Sequence, residues 1–340
     1  MTLQERIDLL VKLGAYIQED TEERQLAIAY TKRFNGWLTK HNSLKALTNI
    51  ATAFLKREVL EAWANRYKDL QNLQGMKRIG LVLAGNIPAV GFHDVLVTFL
   101  VGHKALIKYS SKDEYLIPYM LDFMIKEHPS SAAYFEKALR LKDFDAVIAT
   151  GSNNSALYFE QYFSKYPNVI RKNRNSIAVL NGKETDDELL QLGIDIFRYF
   201  GLGCRSVSKI YVPKDYDFPR LMQALDNYKD IMNHNKYRNN FDYNRSIYLL
   251  NDVSHFVNDC LMVVKHESLL SRISSIHYEI YEDEADLMTK LEAVKDDTQC
   301  VVSKMNLSGF SVVDLGQAQN PAVDDYADGV DTVQFLMNLN

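Results

Sequence analysis

RIGLVLAGNIPAVGFHDVLVTFLVGHKALIKYS, residues 78–110, decides the fold. Its first nine residues are a short apolar run that closes on Gly85-Asn86. That is the pattern of a strand buried on both faces, followed by its turn. HDVLVTFLVG (93–102) reads as a helix, and ALIKYS (105–110) is a second short apolar run. Strand, helix and strand in succession mean parallel strands joined by a right-handed crossover.

The alternation continues downstream. A helix ends near His128, and DAVIATGS (145–152) reads as a third strand. ALYFEQYF (156–163) reads as a helix and NSIAVLNG (175–182) as a fourth strand. TDDELLQLGIDIFRYF (185–200) carries a helix start, with Thr185 and Glu188 spaced as a capping box and acids in the first turn. Leu189, Leu190, Ile196, Phe197 and Phe200 form its apolar face, and Gly201 is its stop. SVSKIYV (206–212) reads as a strand, followed by a helix near 218–232. RSIYLL (245–250) and IHYEIY (276–281) read as strands, 284–294 as a helix and QCVVSK (299–304) as a strand. Upstream, no proline precedes Pro88, and IDLLVKLGAYI (7–17) and LTNIATAFLKREVLEAWANRY (47–67) read as helices. The class is α/β with a helical N-terminal segment.

At 340 residues the chain is long enough for more than one small core. A formal net charge of -5 gives no basic footprint, which argues against nucleic acid as a partner. Three cysteines without a CxxC spacing provide neither a disulfide framework nor a zinc site, and the eight histidines show no metal spacing. MTLQERIDLLVKLG holds acidic residues and no apolar signal core, and no apolar run reaches the roughly 18 residues of a membrane span. The expected setting is a reducing cytoplasm.

Parallel sheets bind ligands beyond the carboxyl ends of their strands. Three such ends carry small or polar residues: Gly85-Asn86, Lys108-Tyr109-Ser110-Ser111 and Gly151-Ser152. Glycine lets a cofactor approach the backbone, and a following helix N-terminus suits a phosphate. Ordinary turn chemistry explains the same residues equally well. Cys204, in GLGCRS (201–206), lies between a helix and a strand and between two glycines, with Arg205 beside it. Either it packs as a small apolar residue, or it is a nucleophile with room for an incoming carbonyl. Cys260 and Cys300 sit in apolar runs and read as core. His93 follows the first turn and is either a packing residue or a proton donor.

Taken together, Gly85-Asn86-Ile87-Pro88, Gly102 with Lys108 and Ser110, Ala149-Thr150-Gly151-Ser152 and Gly201-x-Gly203-Cys204 resemble the aldehyde dehydrogenase superfamily in order and spacing. AGNIPAVGFHD, the NGW near residue 36 and the DDYADGVDT tail (324–332) are similar to its acyl-CoA reductases, those related to the reductase of the bacterial luciferase fatty-acid system. The resemblance implies an aldehyde-dehydrogenase-like fold. Its expected parts are a helical segment over 1–75, a Rossmann-like NAD(P)-binding domain over 76–182 and a catalytic domain over 183–310. Residues 311–340 would return to the cofactor domain or an interface.

The resemblance also implies roles. Cys204 would carry the acyl group as a thioester, and Asn86 would stabilise the oxyanion together with the Cys204 N–H. His93 would be the proton donor. Gly85, Lys108, Ser110, Ser111, Gly151 and Ser152 would hold the cofactor. Aldehyde-oxidising relatives carry a glutamate before the NSIAV-like strand, whereas residues 161–183 contain no Asp or Glu. Without that base, reduction of an activated acyl group is favoured over hydrolysis. Ser111, with Lys112 beside it, stands where many NAD-preferring relatives place a glutamate, and Asp113 and Glu114 are expected to turn into the next helix. NADPH is therefore expected, with NADH as the alternative. The expected substrate is an acyl-CoA, with an acyl-carrying protein as the other donor, and a homo-oligomer is expected. The rival readings are an acyl-phosphate reductase and a non-catalytic protein that retains the fold.

Overall fold

The computed structural model describes residues 1–73 and 75–339, which form two compact units. The first comprises Met1–Asn173 and the chain from Pro321 onward; the second is Arg174–Asn320.

Four helices open the first unit: α1 Leu3–Tyr16, α2 Glu22–Phe34, α3 Lys40–Ala53 and α4 Arg57–Ala64. Thr2, Thr21 and Thr39 start the first three by accepting a backbone N–H from the first turn. The stretch 47–67, read as helical, is shared between α3 and α4. Its break lets Leu55 pack into the space over Gly14, where a Cβ would lie 2.8 Å from the leucine Cβ. The alternating part follows: β1 Arg78–Val82, α5 Phe92–Val101, β2 Lys104–Lys108, α6 Leu116–Glu127, β3 Phe135–Lys137, β4 Ala146–Thr150, α7 Asn153–Phe163 and β5 Asn168–Arg171. The strands pair in parallel in the order β3-β2-β1-β4-β5. One apolar core joins the sheet to the N-terminal helices through residues such as Leu10, Leu13, Trp63, Leu81, Phe99 and Ile107. The helical segment is thus part of this unit rather than a separate body.

The second unit contains β6 Asn175–Val179, α8 Asp186–Phe197, β7 Val207–Pro213, α9 Phe218–Leu225, α10 Asn235–Leu250, β8 His255–Val257, β9 Met262–Lys265, β10 Ser275–Tyr281, α11 Glu284–Glu292, β11 Thr298–Ser303 and β12 Val312–Val313. Its sheet runs β12-β11-β6-β7-β10-β9-β8, parallel except for β8. Ile177, Val179, Tyr211, Leu287, Leu291 and Val301 form a core on it.

The chain then returns to the first unit and adds α12 Thr332–Met337. The return is bonded in place. Tyr326 accepts the Trp63 indole N–H at 2.7 Å, Tyr67 donates to Asp331 at 2.8 Å, and Arg66 pairs with Asp324. Buried Arg171 bridges Asp94, at 2.7 and 2.8 Å, to Thr332 at 3.1 Å.

The structure corrects several expectations. The domain boundary falls at 173/174 rather than 182/183, because β6 pairs with β7 and β11 and not with the first sheet. Residues 311–320 stay with the second unit. RSIYLL is not a strand but the end of α10, whose buried positions Tyr237, Phe241, Asn244 and Tyr248 recur at helical spacing. The helix expected to reach residue 200 ends at Phe197.

Candidate active site

In the first sheet β1 is central. The chain leaves it toward β2 on one side and returns to β4 on the other, a topological switch at the carboxyl ends of β1 and β4. Gly85-Asn86 and Gly151-Ser152 follow these two strands, and Lys108 ends the neighbouring β2. The sequence-marked residues of this unit therefore share one edge of one sheet.

Close approach requires both glycines. A Cβ on Gly85 would lie 2.6 Å from Ser110 Oγ and 3.2 Å from the Asp113 backbone nitrogen. A Cβ on Gly151 would lie 2.8 Å from Ser155 Cβ and 2.9 Å from the Phe159 ring. Ser152 caps α7, its Oγ accepting the Ser155 N–H at 3.3 Å, so the helix N-terminus opens at the switch. Lys108 and Ser111 are exposed, and Ser110 accepts the Lys112 N–H at 3.3 Å.

Asp113 does not turn into the next helix, which starts at Leu116; its side chain points into the core. There Oδ2 accepts the N–H of Ala89, a left-handed residue (φ 52°), at 2.6 Å. Burial raises its carboxyl to about 6, against the lowering effect of bonds from the Ala89, Leu116 and Tyr115 N–H groups. It fastens the turn after β1 to the loop after β2. His93 is enclosed by Phe54, Trp63 and Tyr326, with Nε2 2.7 Å from the Val323 carbonyl oxygen. Burial lowers its pKa. This placement favours the packing reading of His93 over that of proton donor.

Cys204 belongs to the second unit. Beyond α8 the chain passes through three consecutive left-handed residues, Tyr199 (φ 56°), Phe200 (φ 60°) and Gly201 (φ 72°). Phe200 rests against His234, with ring centroids 4.3 Å apart. A tight turn follows, in which the Ser206 N–H reaches the Gly203 carbonyl at 3.0 Å. The Cys204 carbonyl accepts from Ser176 Oγ at 3.1 Å. Cys204 is half-buried, whereas Cys260 and Cys300 are buried. Burial raises the Cys260 thiol to about 12. Glu184, the first acid beyond the acid-free stretch 161–183, is held by the Asn181 and Gly182 N–H groups at 2.6 and 3.1 Å.

The sequence profile of the acyl-CoA reductase (LuxC) family matches residues 12–231, nearly two thirds of the chain, from the N-terminal helices past Cys204. The chain belongs to the LuxC acyl-CoA reductase family. The LuxC match takes in Asn86, His93, Lys108, Gly151 and Cys204 and leaves the α10–α12 region, with the DDYADGVDT tail, outside it. The long-chain acyl-protein thioester reductase 2 of Photobacterium leiognathi is 28% identical over 181 residues, 47% of this chain and 37% of that protein. The matched part is thus little more than a third of that relative. The aldehyde dehydrogenase KauB of Pseudomonas aeruginosa superposes with a TM-score of 0.72 at 12% identity, over 99% of this chain and 83% of that one. An E. coli NADP dependent enzyme gives 0.69 at 11%, over 95% and 79%. These likenesses establish the aldehyde-dehydrogenase-like fold for this LuxC family member. Among the described residues no His, Cys, Asp and Glu cluster suits a metal, and no helix is long and apolar enough to cross a membrane.

Sequence reasoning missed the side chains that hold the site's loops, Asp113, Ser176 and Asp195. Asp195 carried a signal, since it lies among Leu189, Leu192, Ile196 and Phe197 on the buried face of α8. An acid at that helical phase must have a partner. Asp113 and Ser176 each make a bond that no local pattern announces, Asp113 to the Ala89 N–H across 24 residues and Ser176 to the Cys204 carbonyl across 28.

Proposed function

We propose that this chain reduces an acyl thioester to the aldehyde through an acyl group carried on Cys204. The observation that carries the reading is the placement of Cys204: a half-buried thiol on a bonded turn, while the other two cysteines are buried. The Cys204 thiolate attacks the carbonyl of the donor, the donor thiol leaves, and the acyl group remains on Sγ. A bound nicotinamide cofactor supplies the hydride. The Asn86 amide and the Cys204 N–H stabilise the oxyanion, whose collapse breaks the bond to Sγ and releases the aldehyde. The acid-free stretch 161–183 offers no base to activate water against the acyl-enzyme.

The switch between β1 and β4 and the N-terminus of α7 fit a dinucleotide, with Lys108, Ser110 and Ser111 at the adenosine end. NADPH is the proposed form. Asp113 is buried against Ala89, and Glu114 lines a groove with Tyr16 and Glu23, so Ser111 and Lys112 supply the chemistry at a 2′-phosphate. The proposed donor is a fatty acyl-CoA. The name of the Photobacterium relative supports an acyl-protein as the alternative, and both present the same thioester to Cys204.

The test is incubation with acyl-CoA without reduced cofactor, followed by mass spectrometry. An increment of one acyl group is expected on the native chain and none on Cys204→Ala. An adduct that persists in the variant removes Cys204 from the mechanism.

A further inference from the structure

Asp195 takes no part in the chemistry above, yet it is fully enclosed on α8. Its Oδ2 accepts the Gly316 N–H at 2.6 Å and its Oδ1 the Ala318 N–H at 3.0 Å. The loop 316–319 is thereby held at two points. It also lies hard against the helix: Gly316 has φ 83°, and a Cβ there would lie 2.5 Å from Gln191 Oε1.

This loop in turn holds the cysteine turn. Gln319 Nε2 donates to Ser206 Oγ at 3.2 Å, and the same oxygen accepts the Gly203 N–H at 3.3 Å. Arg205 Nη1 makes a long contact, 3.5 Å, with the Ala318 carbonyl. Residues on both sides of Cys204 are therefore tied, directly or through Ser206, to a loop whose own place is set by Asp195. An apolar residue at 195 would leave two N–H groups without their acceptor, and an asparagine would satisfy one and oppose the other with its own NH2. The left-handed run 199–201 falls in the short turn Arg198–Gly201 between α8 and β7, and these side-chain ties add to the backbone bonds that shape the approach to Cys204.

We propose that Asp195 is a positioning residue for Cys204, acting through the loop 316–319 to hold the cysteine turn in the conformation from which Sγ attacks the acyl donor. The inference rests on the reading of Cys204 as the nucleophile. Its mechanical half can be tested without that reading.

Two measurements on the full chain are needed, with Asp195→Asn as the first variant. The first is amide hydrogen exchange, where residues 202–206 and 316–319 should both exchange about tenfold faster or more while β7 keeps its protection. The second is the rate at which acyl-CoA loads Cys204 in the absence of cofactor. It should fall about tenfold or more, the scale on which small misplacements of reacting groups act. The acyl-CoA concentration at half-saturation and the affinity for NADPH should stay within about twofold, since no substrate contact is removed.

Gln319→Leu cuts the second link without touching the buried charge. It should act in the same direction, and the double variant should be less than additive. Unchanged exchange at 202–206 in Asp195→Asn overturns the proposal, as does faster exchange with an unchanged loading rate. If Asp195→Asn fails to fold, Gln319→Leu decides on the same two readouts. If the native chain is never acylated at Cys204, the functional reading falls, while the exchange data still judge the coupling.

Discussion

A methyl group added at Gly85 would meet the Ser110 side chain at 2.6 Å and the Asp113 backbone at 3.2 Å, whereas one added at Gly201 would meet nothing closer than 3.5 Å. The first glycine serves proximity, the second its φ of 72°. Gly85→Ala should therefore cost about 1–3 kcal/mol by overpacking and also weaken cofactor binding. Gly201→Ala should cost about 1–2 kcal/mol from backbone strain and leave cofactor binding intact. Denaturant titration and a binding titration check both. Asn86→Ala should lower turnover by about 100-fold or more with cofactor affinity unchanged, as loss of one oxyanion donor does; steady-state kinetics decide it. Asp113 and Asp195 give a pH signature. Burial raises each carboxyl to about 6, above its unfolded value of 3.8, so between these values the folded chain holds protons that the unfolded chain releases. The contribution of each to stability is thus lost as pH rises from 4 to 6, by up to about 3 kcal/mol. Asp113→Asn should flatten that limb in unfolding free energies measured at pH 4, 5, 6 and 7; an unaltered limb would rule the carboxyl out as its source.

The strands that pass through the middle of each sheet were legible because burial on both faces leaves a short, mostly apolar run: β1, β2 and β4 in the first unit, β6, β7 and β11 in the second, with only Ser208 and Lys209 interrupting β7. Strands at or near the edges were not. β5 reads NVIR, and β8 and β3 are three residues long, so a few paired backbone groups define them rather than composition. α10 was misread for a related reason. RSIYLL is rich in strand formers, and its helical phase shows only when Tyr237 and Phe241 are counted with Tyr248. The motifs of the site were readable as residues that follow strand ends or join a helix to a strand; the bonds that hold them were not, since Ser176 reaches Cys204 across 28 residues and Asp195 reaches Ala318 across 123. Ser176→Ala should slow acylation of Cys204 several-fold, in keeping with the loss of one bond of about 1 kcal/mol, while Cys260→Ala leaves it unchanged. Timed mass spectrometry of the adduct separates the two.

Across the whole molecule, the longest ties are those that bind the returning chain to the first unit. Arg171 and Asp94 are both nearly inaccessible, with side chains 6% exposed, so removing one strands the other. Arg171→Met should cost about 3–5 kcal/mol, and adding Asp94→Leu should recover most of it, because a buried pair replaced by apolar groups loses little. Equilibrium unfolding of the single and double variants tests this. The same connectivity constrains biosynthesis. A ribosome exposes residues 174–320, a continuous stretch with its own sheet, before it exposes 321–339. Trp63, Tyr67, His93 and Arg171 meet their partners from that segment only afterwards. The unit begun first is therefore the one completed last. A nascent chain halted near residue 320 would hold a finished second unit and an unfinished first one, whose uncapped Trp63 and His93 are a surface for a chaperone to shield.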